Sequence, residues 1–210
     1  RRPAAEAIVA AGHEIGHHGY LHRSVSPDDP EGEEEEFLGG LDAIRRLTGA
    51  SPLGYRAPSG ETTPRLVRML AENGFVYDSS MLDGIMPYRH RVKGTDLSLI
   101  ELPWHWSLDD VPYLLTSGTL HRSIFTNDHI LQIWKAEFDA IYAEGGLFTI
   151  VMHPQVIGRP SRIVLLRELI AHIRRHDDVW FGTGREVATA WDAAKIDTSA
   201  TDWISPFLEQ

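Results

Sequence analysis

The chain has 210 residues, 42% of them apolar and 24% charged, which is typical of a globular protein long enough to bury a core. With 20 Lys and Arg against 30 Asp and Glu, its formal net charge is −10 at pH 7, and the absence of a basic stripe argues against nucleic-acid binding. No apolar run approaches the roughly 18 residues of a membrane span, and without cysteine any metal site must consist of His, Asp and Glu.

Helices and strands are predicted to alternate through the first half of the chain. Pro3 suits a first helical turn and Gly12 the position after a last turn, so a short helix lies between them. The acidic stretch 28–36 is expected to be a solvated segment that leads into a second helix, with an acidic docking surface as the alternative. The predicted elements are a helix over 3–11, a strand over 14–18, a helix ending near 48, a strand over 53–55, a helix over 64–73 and a strand over 75–77.

Residues 78–125 lack this regularity and contain scattered Pro, Gly, Trp and Tyr, which predicts a long functional insertion with aromatic walls. Beyond it, the predicted elements are helices over 127–144, 163–176 and 185–191 and strands over 147–152 and 179–181, with one strand over 97–102 inside the insertion. Alternating strands and helices predict a parallel sheet covered by helices, either open and doubly wound or closed into a barrel. In both architectures the chemistry lies at the carboxyl ends of the strands.

The most informative motif is GHHGYLH at residues 16–22, directly after a predicted strand. Three residues separate His18 from His22, a spacing at which two imidazoles can bind one metal ion. Such a site suits zinc, cobalt, iron or nickel, and a carboxylate or water must complete it. The alternative is a histidine-rich surface turn with this spacing by chance, since the chain has eleven histidines. We expect His13 and His17 to be neighbours of the site.

Two further motifs also follow predicted strands. RAPSG at 56–60 places an arginine where it can orient a carboxylate, although a loop arginine is commonly a surface residue. FTIVMHP at 148–154 ends an apolar strand at His153, which is either a general acid or base or a structural histidine. If all these motifs project to one rim, they form a metal-dependent hydrolytic site together with His18 and His22.

These motifs resemble those of the polysaccharide deacetylase family (NodB homology, carbohydrate esterase family 4). HHGYLH resembles the family's H-x-x-x-H motif, RAPSG its R-x-P-x-G motif and VMHP its last histidine motif. The blocks at 72–80 and 101–113 resemble the subgroup of Helicobacter-type peptidoglycan deacetylases and PuuE-type allantoinases. The resemblance covers residues 1–192, which we expect to form the catalytic domain, with 193–210 as a C-terminal tail.

The resemblance implies an α/β fold, a distorted (β/α) barrel with fewer than eight strands, and metal-dependent hydrolysis of carbon–nitrogen bonds other than peptide bonds. His18 and His22 are then the metal ligands, for zinc first and for cobalt, iron or nickel otherwise. His153 is the general acid, and Arg56 holds the catalytic carboxylate ionised. The expected substrate-binding residues are Trp104, Trp106, Tyr113, Pro58, Gly60 and Asp109, and core packing is the alternative for each aromatic one.

One family motif has no counterpart in the chain. The family's first motif, a strand with paired aspartates, supplies the general base and the third metal ligand, but only 17 residues precede His18 and none of them is Asp. We therefore expect a chain that lacks its first strand, either as a fragment or as a degenerate homologue.

Three functions remain open at this point. The first is removal of N-acetyl groups from amino sugars in glycans, the second is hydrolysis of a small cyclic amide such as allantoin, and the third is a non-catalytic remnant. The expected partners are a glycan or small amide substrate and a possible second copy of the chain, with no nucleic acid and no membrane. The absence of a visible signal peptide favours a cytoplasmic location.

Overall fold

The computed structural model describes residues 2–117 and 121–195, so the predicted tail lies outside the described residues from 196 onward. The α-helices are α1 (Arg2–Ala10), α2 (Pro30–Thr48), α3 (Pro64–Glu72), α4 (Val111–Leu114), α5 (Asn127–Glu144), α6 (Pro154–Ile157), α7 (Ile163–Ile173) and α8 (Gly184–Ala194). The strands are β1 (Gly54–Tyr55), β2 (Tyr77–Asp78), β3 (Tyr88–Val92) and β4 (Thr95–Glu101), and short 3-10 turns cover Pro58–Gly60 and Trp106–Leu108. None of the helices in the described part of the chain has the length and apolarity needed to cross a bilayer.

The predicted helices are confirmed. They could be predicted because residues close in sequence determine where each helix begins and ends. Thr63 caps α3 through its side chain, which accepts a hydrogen bond from the backbone N–H of Leu66, and Pro64 occupies the first helical position. Gly49 and Gly145 end α2 and α5 in the left-handed conformation, which glycine adopts at little cost.

The described residues divide into two compact units. The first unit comprises residues 2–81, 87–103 and 182–195, and the second comprises 82–86, 104–117 and 121–181. Each unit has its own apolar cluster. The cluster of the first unit includes Phe37, Leu41, Leu66, Leu70 and Phe75, and that of the second includes Trp134, Phe138, Leu165 and Leu169.

The first unit contains a four-stranded sheet in the order β1-β2-β4-β3. The neighbours β1 and β2, and β2 and β4, run parallel, which confirms the predicted parallel arrangement for these strands. Strand β3 pairs antiparallel with β4 and was not predicted. The inward-facing residues of β3 are Tyr88, His90 and Val92. Because His90 is polar, the strand lacks the regular apolar alternation by which strands are identified.

Two predicted strands are much shorter than expected. The strand over 14–18 consists of one parallel bridge, in which the backbone N–H of His17 donates to the Gly54 carbonyl and the His17 carbonyl accepts from Arg56. Pairing ends there because Gly19, at φ 73°, turns the chain away. The bridge nevertheless places residue 18 beside residue 56.

In the second unit, the strand predicted over 147–152 is one parallel bridge between Val151 and Asp109. Pairing stops because the neighbouring segment turns into α4 immediately after Asp110. The strand predicted over 179–181 has no ladder partner among the described residues, and the side chains of Trp180 and Phe181 are exposed.

Candidate active-site residues

The predicted metal-binding histidines lie side by side in the first unit. The ring centroids of His18 and His22 are 4.8 Å apart. His18 Nδ1 lies 2.7 Å from the backbone oxygen of Arg56. Because a carbonyl oxygen can only accept, Nδ1 carries the ring proton and Nε2 keeps its lone pair. Metal-binding histidines are commonly oriented in this way, so the pair fits a divalent ion.

The loop that carries this pair, residues 17–23, is held in an unusual conformation. His22 has φ 61°, a left-handed backbone angle that costs a side-chain-bearing residue on the order of 1–3 kcal/mol. Glu36 on α2 stabilises the loop: its buried carboxylate accepts backbone N–H groups of Tyr20 and Leu21 at 2.9 Å and of Arg23 at 3.4 Å. We call residues 17–23 the histidine loop.

His17 supports the histidine loop from inside. Its Nε2 donates to the Phe37 carbonyl at 2.8 Å, and its Nδ1 accepts the backbone N–H of Gly19 at 3.1 Å. Burial lowers the pKa of His17. Gly40 permits this contact, because a Cβ there would meet His17 Nε2 at 2.5 Å. Both ring nitrogens therefore have structural partners, and His17 is a neighbour of the site as expected.

The acidic stretch 28–36 was expected to be solvated, but two of its residues, Glu33 and Glu36, are buried. Glu33 accepts the hydroxyl of Thr63 and pairs with Arg65 at 3.1 Å. A buried carboxylate is stable when several donors surround it, as they do here. A charge run in the sequence does not reveal which of its members turn inward.

Arg56 is fixed by the residues that follow β2. Its Nε donates to the Ser79 carbonyl at 2.8 Å and its Nη2 to the Ser79 hydroxyl at 2.6 Å. The backbone N–H of Ala57 donates to the Ser80 hydroxyl at 2.9 Å. Pro58 is buried, and Gly60 has φ 72°, so these two residues shape the turn after Arg56. Their predicted contact with substrate stays a prediction.

Beneath this turn lies a fully buried group of three ionisable residues, Asp78, His90 and Glu101. His90 Nε2 lies 2.8 Å from a Glu101 carboxylate oxygen and 3.7 Å from Asp78 Oδ2. Asp78 Oδ1 accepts the hydroxyl of Ser80, and thereby connects the group to the Arg56 turn. Burial, and then the charge of Glu101, raise the pKa of Asp78 to about 7.

This raised pKa predicts a pH-dependent stability. The folded-state pKa of Asp78 lies above its usual 3.8, so the protonated form favours the folded state. The free energy of unfolding should fall as pH rises from about 4 to about 7, by up to about 1.4 kcal/mol per pH unit, and level off above. Urea unfolding of the parent and of Asp78→Asn between about pH 5 and pH 8 checks this: the difference between them should change over that range. A constant difference would contradict the account.

In the second unit, the predicted general acid His153 is paired with Asp110. Asp110 Oδ1 accepts the His153 Nδ1 proton at 2.7 Å, and its Oδ2 accepts the backbone N–H groups of His153 at 3.0 Å and Ile157 at 3.1 Å. Asp110 is fully buried, whereas the His153 side chain is 31% exposed. This pairing fixes the ring and leaves Nε2 available for proton transfer.

Asp110 was not predicted, whereas its neighbour Asp109 was predicted as a substrate-binding residue. A carboxylate oxygen of Asp109 accepts the backbone N–H of Val111 and lies 3.9 Å from His153 Nδ1, too far for a hydrogen bond. The only signal in the sequence is the Asp-Asp pair before Val-Pro, and nothing in it indicates which carboxylate faces the histidine.

The predicted substrate-binding aromatic residues, all in the second unit, differ in exposure. Trp104 is buried and packs edge-on against Trp106 at 4.7 Å between ring centroids. Trp106 is 39% exposed. The hydroxyl of Tyr113 donates to the Ser107 carbonyl at 3.0 Å. Of the three, Trp106 exposes the largest part of its ring system for a ligand to contact, and substrate binding by all three stays a prediction.

Three groups of potential metal ligands occur in the described part of the chain. They are Asp78, His90 and Glu101; Asp109, Asp110 and His153; and Asp139, His172 and His176. Neither His18 nor His22 belongs to a group of three within 2–117 and 121–195. The predicted pair therefore stands as two ligands of an incomplete set.

Comparison with known proteins identifies the family. The sequence pattern of the polysaccharide deacetylase family matches residues 2–77. The peptidoglycan deacetylase of Helicobacter pylori is 32% identical over an alignment 207 residues long, and the match covers 86% of this chain and 71% of that protein. The chain belongs to the polysaccharide deacetylase family. It is accordingly a deacetylase-like hydrolase that acts on carbon–nitrogen bonds, and enzymes of this family are in general metal-dependent.

Solved structures of relatives share this fold. A protein from Mycobacterium smegmatis, assigned as a polysaccharide deacetylase, superposes with a TM-score of 0.86 at 36% identity, over 93% of this chain and 68% of that one. PuuE allantoinase superposes with a TM-score of 0.80 at 30% identity, over 94% of this chain and 65% of that one. The predicted α/β fold class with fewer than eight strands is confirmed.

Proposed function

We propose that this deacetylase-like hydrolase removes N-acetyl groups from amino sugars in glycans, with a divalent metal ion bound by His18 and His22. The observation that supports the proposal most strongly is the hydrogen bond from His18 Nδ1 to the Arg56 carbonyl, since it places the ring proton on Nδ1 and the lone pair on Nε2, in a ring that lies beside a second imidazole. Metal-binding histidines commonly donate one ring N–H to a backbone carbonyl and bind the ion through the other nitrogen, and this similarity supports the proposal.

Zinc fits these ligands best, because imidazole suits zinc and zinc keeps an open position in catalytic sites. Cobalt, iron and nickel have similar ligand preferences. A bound ion of this kind polarises the amide carbonyl and lowers the pKa of a bound water. In the family, a third ligand and the general base come from an aspartate-bearing strand that has no counterpart in this sequence. We propose that Arg56 would hold that base ionised where such a strand is present.

His153 is proposed to act as the general acid. When the amide C–N bond breaks, the leaving amine nitrogen must receive a proton, and the donor is Nε2–H of the doubly protonated His153 imidazolium, which becomes the neutral ring. Asp110 is a positioning residue, because its carboxylate binds the Nδ1 proton, fixes the orientation of the ring and stabilises the imidazolium that carries the Nε2 proton.

The substrate class follows from the relatives and from one exposed side chain. The Helicobacter pylori relative is named for peptidoglycan deacetylation, and the exposed ring of Trp106 offers an apolar face of the kind that sugar rings stack on. The similarity to PuuE allantoinase makes a small cyclic amide the second candidate substrate.

The test is an assay of the zinc-loaded chain with both candidate substrates. We expect acetate release from a chitin oligosaccharide or from peptidoglycan, and no ring opening of allantoin. His153→Gln is the matched control, which removes the proton donor but leaves the histidine loop intact. Ring opening of allantoin without acetate release would favour the second candidate, and an equal rate for the His153→Gln variant would contradict the assigned role.

A further inference from the structure

The second unit contains two histidines and an aspartate that have no part in the proposed reaction. Asp139 lies on α5, His172 lies in the last turn of α7, and His176 follows about one helical turn later. One potential ligand atom from each of them lies within 4.8 Å of the other two. We propose that these side chains form a second metal site, the α5–α7 site, for a borderline divalent cation such as Zn²⁺, Ni²⁺, Co²⁺ or Cu²⁺.

The two imidazoles of the α5–α7 site converge on one carboxylate oxygen. Asp139 Oδ1 lies 2.6 Å from His172 Nε2 and 3.4 Å from His176 Nε2. His176 Nδ1 lies 3.2 Å from the backbone oxygen of His172, and since a carbonyl only accepts, Nδ1 carries the proton. In the neutral ring, the Nε2 lone pair therefore faces a carboxylate oxygen, and a cation between them removes the repulsion.

The packing around the site restricts both histidine rings. The Phe138 ring centroid lies 5.9 Å from that of His172 and 5.0 Å from that of His176, and Tyr142 lies 4.8 Å from His176. The two histidine side chains are only 14% and 24% exposed, whereas Asp139 is 49% exposed. The ligands are thus held against the protein with one side open to solvent, so binding costs little side-chain entropy and leaves an entry path.

Binding requires one rearrangement. Arg175 Nη2 donates to His172 Nδ1 at 2.8 Å, which keeps the ring proton of His172 on Nε2, where it bonds to Asp139. A metal ion at Nε2 takes the place of that proton, which moves to Nδ1 in the neutral ring, so Nδ1 can no longer accept a hydrogen bond. The guanidinium of Arg175 must leave His172 Nδ1, and the exposed side chain can do so. The ion would then link α5 to α7, with water in the remaining position.

A zinc titration tests the site in the full chain. The background carries His18→Ala and His22→Ala, which removes the first pair of ligands at two exposed positions. Zinc binding is followed by competition with a chromophoric chelator. The His18→Ala, His22→Ala protein should bind one zinc ion per chain. Adding His172→Gln or His176→Gln should weaken binding at least ~10-fold. His129→Gln is the matched control, because His129 is on the same helix as Asp139 but its ring packs against Phe125.

Thermal unfolding provides a second measurement and a check on folding. Zinc should raise the midpoint of the background protein, because a ligand that binds only the folded state stabilises it. Zinc should raise the midpoint clearly less once His176→Gln is added, and a cooperative unfolding transition of that variant without zinc shows that it still folds. The α5–α7 site would be overturned if the His18→Ala, His22→Ala protein did not saturate with zinc. It would also be overturned if His172→Gln and His176→Gln left the zinc affinity of that protein unchanged. Neither result bears on the proposed reaction, which uses other residues.

Discussion

Replacing Glu36 by glutamine should weaken zinc binding at the histidine loop about 10–100-fold, although Glu36 is not itself a ligand. The carboxylate accepts backbone N–H groups of Tyr20, Leu21 and Arg23 with its two oxygens. Glutamine offers one oxygen and turns an NH₂ group toward these donors, so at least one part-buried N–H loses its partner. The left-handed conformation at His22 then loses its support, and the two ligands are no longer held together.

The measurement is a zinc titration in a background that carries His176→Gln, so that the α5–α7 site does not contribute. Glu35→Gln is the control, because Glu35 lies on the same helix, carries the same charge and is exposed. We expect its zinc affinity to match that of the background. If Glu36→Gln also matched the background, the histidine loop would not need the carboxylate and the argument from its backbone contacts would fail.

The largest effect on turnover should come from the pair in the second unit. His153→Ala removes the proposed proton donor and should lower kcat by about 10²–10⁴-fold, with a much smaller change in KM. Asp110→Asn should lower kcat by a similar factor, because a neutral amide no longer stabilises the positively charged imidazolium from which His153 donates its Nε2 proton. Its buried carboxylate also holds the backbone of His153 and Ile157.

Asp109→Asn is the comparison for this prediction. Its carboxylate lies 3.9 Å from His153 Nδ1, so its effect on kcat should be less than about tenfold. Steady-state kinetics of the three variants with one acetylated glycan separates the roles. Equal losses for Asp109→Asn and Asp110→Asn would mean that the short hydrogen bond to His153 has no special part in proton transfer.

The helices could be predicted from the sequence because their signals are local. Thr63 and Pro64 mark the start of α3, and Gly49 and Gly145 mark the ends of α2 and α5. These helix ends can be predicted without knowledge of distant residues. Strand extents could not be predicted in this way, because pairing depends on residues far apart in sequence. The segments around His17 and Val151 each find one pairing position and then diverge.

The candidate site shows the same contrast. His18, His22 and His153 could be identified because they lie in short motifs with a chemical purpose. Glu36 and Asp110 could not, because their importance arises from backbone N–H groups and a ring that the fold brings to them. In the sequence, the first is one member of an acidic run and the second is one of two adjacent aspartates.

The central claim is that His18 and His22 bind a metal ion, and metal content per chain tests it most directly. The His176→Gln protein, purified and dialysed against zinc, should retain about one ion per chain, and His18→Ala or His22→Ala should each abolish retention. Retention that persists in both alanine variants, or no retention before either change, would contradict the claim.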